Sequence, residues 1–165
     1  MKKVLLLIIS VLFAIQANAQ TQEEAPAVTI DSLSTKLAEL QHNYDFLYCD
    51  FKLYQRKTNL DQLSQDIKII RNELSIGIYH ERYDRDFYTV LSEDYDAKCE
   101  LYNAFKRQFE VVQELVTIKI ITTGFTESEL NVFNAYIKTI ESTMEVVEKG
   151  LKYYDRLLKI YKDEN

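Results

Sequence analysis

The sequence predicts an all-α fold, an elongated antiparallel bundle of three long helices. Three observations carry this expectation. The 165 residues include only three glycines and one proline, too few breakers for the many turns of an all-β fold. Apolar side chains recur at alternating steps of three and four over long stretches, and that 3.5-residue average is a heptad seam. The strongest punctuation, between Thr122 and Leu130, separates two such stretches cleanly. Helices are expected over roughly 31–76, 80–122 and 127–163. At 1.5 Å per residue they run about 55–70 Å, close enough in length to lie side by side.

The chain opens with a segment that reads as an export signal rather than as fold. Lys2 and Lys3 form a basic start, and an apolar run from Val4 to Ile15 follows. Ala17 and Ala19 supply the small side chains that signal peptidase accepts, so cleavage is expected after Ala19. The run is too short for an ordinary spanning helix. No cysteine stands at the cleavage point to take a lipid anchor. The expected location is therefore periplasmic or secreted, with no stable membrane anchor after cleavage. Residues 20–29 are polar, carry the only proline and read as a flexible lead-in. Residues 30–165 are expected to form a single helical-bundle domain.

The first helix begins on a seam of Leu33, Leu37, Leu40, Tyr44, Leu47, Phe51 and Tyr54, which asks for a helical neighbour. After Tyr54 the phase slips, and the stripe resumes at Leu60, Leu63, Ile67, Ile70 and Leu74. One account is a single helix with a local change of phase. The alternative is a turn near 57–59, with Asn59 as N-cap, giving a four-helix up-down bundle. No glycine is present to carry a sharp reversal there, which favours the single helix. Gly77 is a better break.

The second helix places Tyr102, Phe105, Phe109, Val112 and Val116 on one stripe. Leu101, Val111, Leu115, Ile118 and Ile121 widen it, which predicts deeper burial towards Ile121. Gly124 can take the left-handed conformation that closes a helix. Thr126 and Glu129 then form a capping box for the third helix, with Phe125 and Leu130 as its hydrophobic staple. The third helix has the cleanest seam, running Leu130, Phe133, Ile137, Ile140, Met144, Val147, Leu151, Tyr154, Leu158 and Tyr161. Gly150 interrupts it at a cost of roughly 1 kcal/mol in propensity, where it can admit a close neighbour.

Composition narrows the function. Without Lys2 and Lys3, 18 basic side chains remain from 20 against 26 acidic ones, a net charge of −8. That balance disfavours nucleic acid and anionic lipid, both of which need clustered cations. The only cysteines, Cys49 and Cys99, form a candidate disulfide in an oxidising compartment. A hairpin at Gly77 leaves them about 9 Å out of register, so two separate thiols are the competing state. His42 and His80 are isolated and show no zinc spacing. Glu93, Asp94, Asp96 and Glu100 form the densest acidic run but lack the glycine of a calcium loop. No nucleophile elbow, phosphate loop or dinucleotide fingerprint appears, and no metal or cofactor is expected.

The expectation is a non-enzymatic exported protein that works by binding another protein, possessing a partner of basic character or a second copy of itself. Tyr48, Tyr136 and Tyr153 lie off the seams, and tyrosine is enriched at binding hot spots. With Glu93, Asp94, Asp96 and Glu100 they make the candidate partner surface. Two sharper versions are an immunity or inhibitor protein that neutralises a basic toxin, and a periplasmic holdase chaperone. An enzyme is the least favoured class.

Overall fold

The computed structural model describes residues 30–79 and 85–163. The expected signal segment, the lead-in and His80 lie outside the described residues. The described residues form three helices: α1 (Ile30–Tyr79), α2 (Arg85–Thr123) and α3 (Glu127–Asp163). No strand occurs among the described residues. The chain divides into two compact units, 1–40 and 41–165. In the first, the described residues are opening turns of α1, where Thr35 Oγ1 donates to the Asp31 carbonyl at 2.9 Å. The second unit is the three-helix bundle.

Side-chain contacts fix the topology of that bundle. Along α1, Asp45 meets Lys119, Arg56 meets Gln108 and Asp66 meets Lys98. Each advance along α1 is matched by an equal retreat along α2, so the two are antiparallel. Tyr102 reaches Met144 and Glu148 while Tyr154 reaches Leu91, which makes α2 and α3 antiparallel as well. Phe46 packs on Phe133 and Arg71 lies over Tyr153, so α1 and α3 run the same way. The order is up, down, up.

This register decides the cysteines. Cys49 stands level with Leu115, sixteen residues from Cys99 and so about 24 Å along α2. A disulfide needs Cα atoms within about 7 Å. The candidate bridge is therefore corrected: both are free thiols, Cys49 buried and Cys99 half-buried. Gly77 makes no turn: it lies inside α1 and is itself buried.

No turn interrupts α1 at 57–59, and the extra helix is excluded. Nor does its core seam change phase. The inward face runs through Phe46, Cys49, Leu53, Arg56, Leu60, Leu63, Ile67, Ile70 and Leu74 in unbroken steps of three and four. Cys49, Leu53, Leu60 and Leu74 on it are fully buried. The stripe through Tyr44, Leu47, Phe51 and Tyr54 is a second seam. Within the bundle its members are all exposed, on the side of α1 turned away from the core. The apparent slip is two seams on opposite faces, overlapping between residues 46 and 54.

The other helices follow the sequence more directly. Tyr102, Phe105, Phe109, Val112 and Val116 are all buried. The widening flank is not: Leu101, Val111, Ile118 and Ile121 are exposed, which corrects the expectation of deeper burial there. On α3, Phe133, Ile140, Val147, Leu151, Tyr154, Leu158 and Tyr161 are buried, as the seam requires. Gly150 does admit a neighbour, since a Cβ built there would sit 3.1 Å from Ile67 Cγ2.

The α2–α3 turn forms as the sequence dictates. Gly124 has φ +71° and its N–H donates to the Ile120 carbonyl at 3.3 Å, an αL cap. The Thr126 N–H donates to Glu129 Oε2 at 2.8 Å and the Glu129 N–H to Thr126 Oγ1 at 3.4 Å, closing the capping box. Phe125 is buried in the same cluster that Leu130 joins.

Candidate functional site

The outer face of α1 in the bundle is the largest departure from ordinary packing. Tyr44, Leu47, Phe51 and Tyr54 are each more than half exposed, at 53, 62, 57 and 54 %. Single exposed apolar side chains are normal on a protein surface, but four in succession at heptad spacing form a continuous stripe. Covering such a stripe is favourable in proportion to its apolar area. In the first unit Ile30, Leu33, Leu37 and Leu40 are likewise exposed, at 85, 41, 65 and 66 %.

Beside the stripe, Tyr48 is half-buried. Its ring stacks on Tyr44 with centroids 6.1 Å apart, and Lys52 Nζ lies 5.5 Å from it on the next turn. Tyr48 also lines a shallow groove between α1 and α2 with Lys52, Arg56, Arg107 and Val111. Three cations in that groove give this part of an acidic protein a local positive charge. A basic partner is thus disfavoured at Tyr48.

The acidic run divides. Glu93, Asp96 and Glu100 are exposed along one face of α2. Asp94 turns inward, where Lys98 Nζ lies 3.6 Å from it and also 3.8 Å from Asp66. The Asp94 carboxylate faces Tyr154. Burial and then that negative charge push the Tyr154 phenol far above its ordinary range. Its hydroxyl donates to the Leu91 carbonyl at 2.8 Å. Asp94 therefore belongs to the packing, and three acidic residues remain for a partner.

The remaining tyrosines do not join this ridge. Tyr136 is half-buried against the main core. Tyr153 is exposed with the Arg71 guanidinium 4.6 Å from its ring centre. Both lie on α3 towards α1, away from the α2 ridge. Tyr136 and Tyr153 are themselves 17 residues, about 25 Å, apart along α3, so the seven residues proposed from sequence are scattered over at least four places rather than gathered on one surface.

Two polar clusters escaped the sequence reading. Asp45 is 3 % exposed and accepts from Lys119 Nζ at 2.8 Å, Thr123 Oγ1 at 2.9 Å and Gln41 Nε2 at 3.1 Å. Burial alone would raise its pKa. The hydrogen bonds from Lys119, Thr123 and Gln41, with the Lys119 charge, outweigh burial and hold it below 3.8. Next to it, burial and then the Asp45 charge push the Cys49 thiol up, so Cys49 is a poor nucleophile. At the turn, His42 Nε2 lies 2.9 Å from Glu129 Oε1, tying α1 to the capping box. The box's own hydrogen bonds, from the Thr126 backbone first, hold the Glu129 carboxyl below its usual range, with His42 adding to them. Both clusters join residues more than 70 positions apart, and no local spacing announces them.

Among the described residues no three metal-ligating side chains converge. No described helix is long and apolar enough to cross a membrane. Comparison with protein-family models, with curated proteins and with solved structures finds no match to this chain. Asp45 has every feature of a perturbed carboxylate except an approach for substrate, since its three donors close around it. The exposed face of α1 has the opposite character: open, apolar and regularly spaced.

Proposed function

We propose that this chain is an exported, non-enzymatic helical protein that acts by binding another protein through the outer face of α1. The exposure of Tyr44, Leu47, Phe51 and Tyr54 on a heptad spacing carries the reading. A 3.5-residue repeat is matched by a second helix bearing the same repeat, through knobs-into-holes packing. A seam of this kind on a side already turned from the core supports a helix-against-helix partner. The leader-like start, from Lys2 to Ala19, supports export to the periplasm or beyond.

The test joins location and binding. The product recovered from cell fractions should begin at Gln20 and sit outside the cytoplasm. Affinity capture with that product should hold a stoichiometric partner, and Leu47→Glu should release it. A cytoplasmic product that keeps residues 1–19 contradicts the location. Equal capture by wild type and Leu47→Glu contradicts the binding face. A second reading has its own observation. The open ridge of Glu93, Asp96 and Glu100 supports an inhibitor of a basic partner, whose binding charge reversal at those positions would abolish. A chaperone would instead hold many unfolded clients at the apolar stripe, without a fixed stoichiometry.

A further inference from the structure

We infer that the occupant of the exposed α1 face is a second copy of this chain, with residues 30–40 of one copy packed antiparallel on residues 44–54 of the other. This inference rests on the proposed binding role of that face. Both stretches are exposed, both are helical, and both carry the same heptad spacing. In one antiparallel register every apolar member finds a partner. Ile30 meets Tyr54 and Leu33 meets Phe51, while Leu37 meets Leu47 and Leu40 meets Tyr44. Three of the four layers set an aliphatic side chain against an aromatic one. A parallel in-register pair would instead stack Tyr44, Phe51 and Tyr54 each on itself.

Charge selects the same register. Lys36 and Asp50 occupy the position just before each seam residue of one set, the g position of a heptad. In an antiparallel pair g faces g, so Lys36 of each copy meets Asp50 of the other, twice per dimer. Neither has an ion-pair partner among the described residues. Sliding the register by one heptad in one direction sets Lys36 against Lys57 and leaves Ile30 and Leu33 opposite Asp61 and Thr58. Sliding it further brings Asp50 against Asp50. Parallel pairing gives these charges no opposite partner. The area also suffices. The accessible parts of the eight seam residues come to roughly 1,000 Å² per copy, and covering two-thirds of that on both copies buries about 1,300 Å², within the range of specific interfaces.

The protein produced from the full sequence, as cells process it, is measured by sedimentation velocity over a wide concentration range. The variants K36D and D50K, and a one-to-one mixture of the two, are run beside it. The wild type should dimerise. Each variant alone sets like charges together at both ends and should weaken dimerisation about tenfold. The mixture should recover wild-type affinity, because each mixed dimer then pairs opposite charges at both ends. On α1 Lys36 is exposed and Asp50 half-buried, outside the core, and unchanged circular dichroism shows that the variants fold. A wild type that stays monomeric at every concentration overturns the inference, as does a mixture no better than either variant. A monomer whose captured partner is lost on Leu47→Glu overturns self-pairing and leaves the binding face standing. A monomer for which Leu47→Glu changes nothing overturns both.

Discussion

Replacing Lys119 with Met isolates the buried Asp45 carboxylate. Asp45 is 3 % exposed, and Lys119 supplies both a 2.8 Å hydrogen bond and an opposite charge. Met fills the space of the lysine stem but leaves the carboxylate with two neutral donors, Thr123 and Gln41. Stripping one partner from a fully buried ion pair costs about 3–5 kcal/mol. The Lys119 side chain is 30 % exposed, so water takes up part of the loss and about 2–3 kcal/mol is expected. Urea unfolding followed by circular dichroism at neutral pH measures it. The double variant Asp45→Leu with Lys119→Met should return most of that stability, because no charge is then left buried. The pH dependence has a fixed sign. Asp45 is held below its ordinary 3.8, so its contribution is present above that value and is lost as pH falls through the folded-state pKa. The gap between wild type and Lys119→Met should close in acid. A single variant within about 0.5 kcal/mol of wild type at neutral pH, near the limit for an ordinary surface change, would refute the clamp. So would a double variant as unstable as the single.

Other outcomes follow from single contacts. Gly150→Ala gains about 1 kcal/mol of helix propensity but drives a methyl against buried Ile67, so it should not stabilise. In an Ile67→Ala background the same change should stabilise by about that amount, and additive unfolding energies would contradict the contact. Gly124→Ala meets no atom within 4 Å yet must hold φ +71°, so it should cost about 1–2 kcal/mol by backbone strain alone, read as a lowered urea midpoint. Tyr102→Phe removes hydroxyl bonds to Glu148 at 3.0 Å and Met144 at 3.3 Å and should cost about 1 kcal/mol in the same assay.

The three-helix architecture was legible because α3 and the Gly124 turn obey local rules. The α3 seam repeats ten apolar residues without a fault, and the cap needs only neighbours in sequence. The first helix misled for a physical reason. Its inner seam is written with Phe46, Cys49, Leu53 and Arg56, so one ring, one thiol and one guanidinium stand where leucines mark a core. Its outer seam is written with leucines and aromatics and is the more conspicuous of the two. Periodicity finds an apolar stripe but does not say what covers it. The flank of α2 failed in the same way, since Val111 and Ile118 widen a stripe that three helices cannot close over. Asp45 with Lys119, and His42 with Glu129, depend on register between distant helices. The candidate surface fared less well than the fold. Tyr48, Tyr136 and Tyr153 are scattered around the bundle, and Asp94 turns towards Lys98 and Tyr154.

α1 carries two apolar faces, one buried in the core and one exposed. The most direct test of that division compares Leu53→Ala with Leu47→Ala by urea unfolding in dilute solution, where association does not contribute. Leu53 is fully buried and Leu47 is 62 % exposed, six residues apart on one helix. Leu53→Ala should lose about 2–5 kcal/mol, while Leu47→Ala should stay within about 0.5 kcal/mol of wild type. Equal losses at the two positions would mean that the seam through Tyr44, Leu47, Phe51 and Tyr54 closes the core, and that no face of α1 is left for a partner.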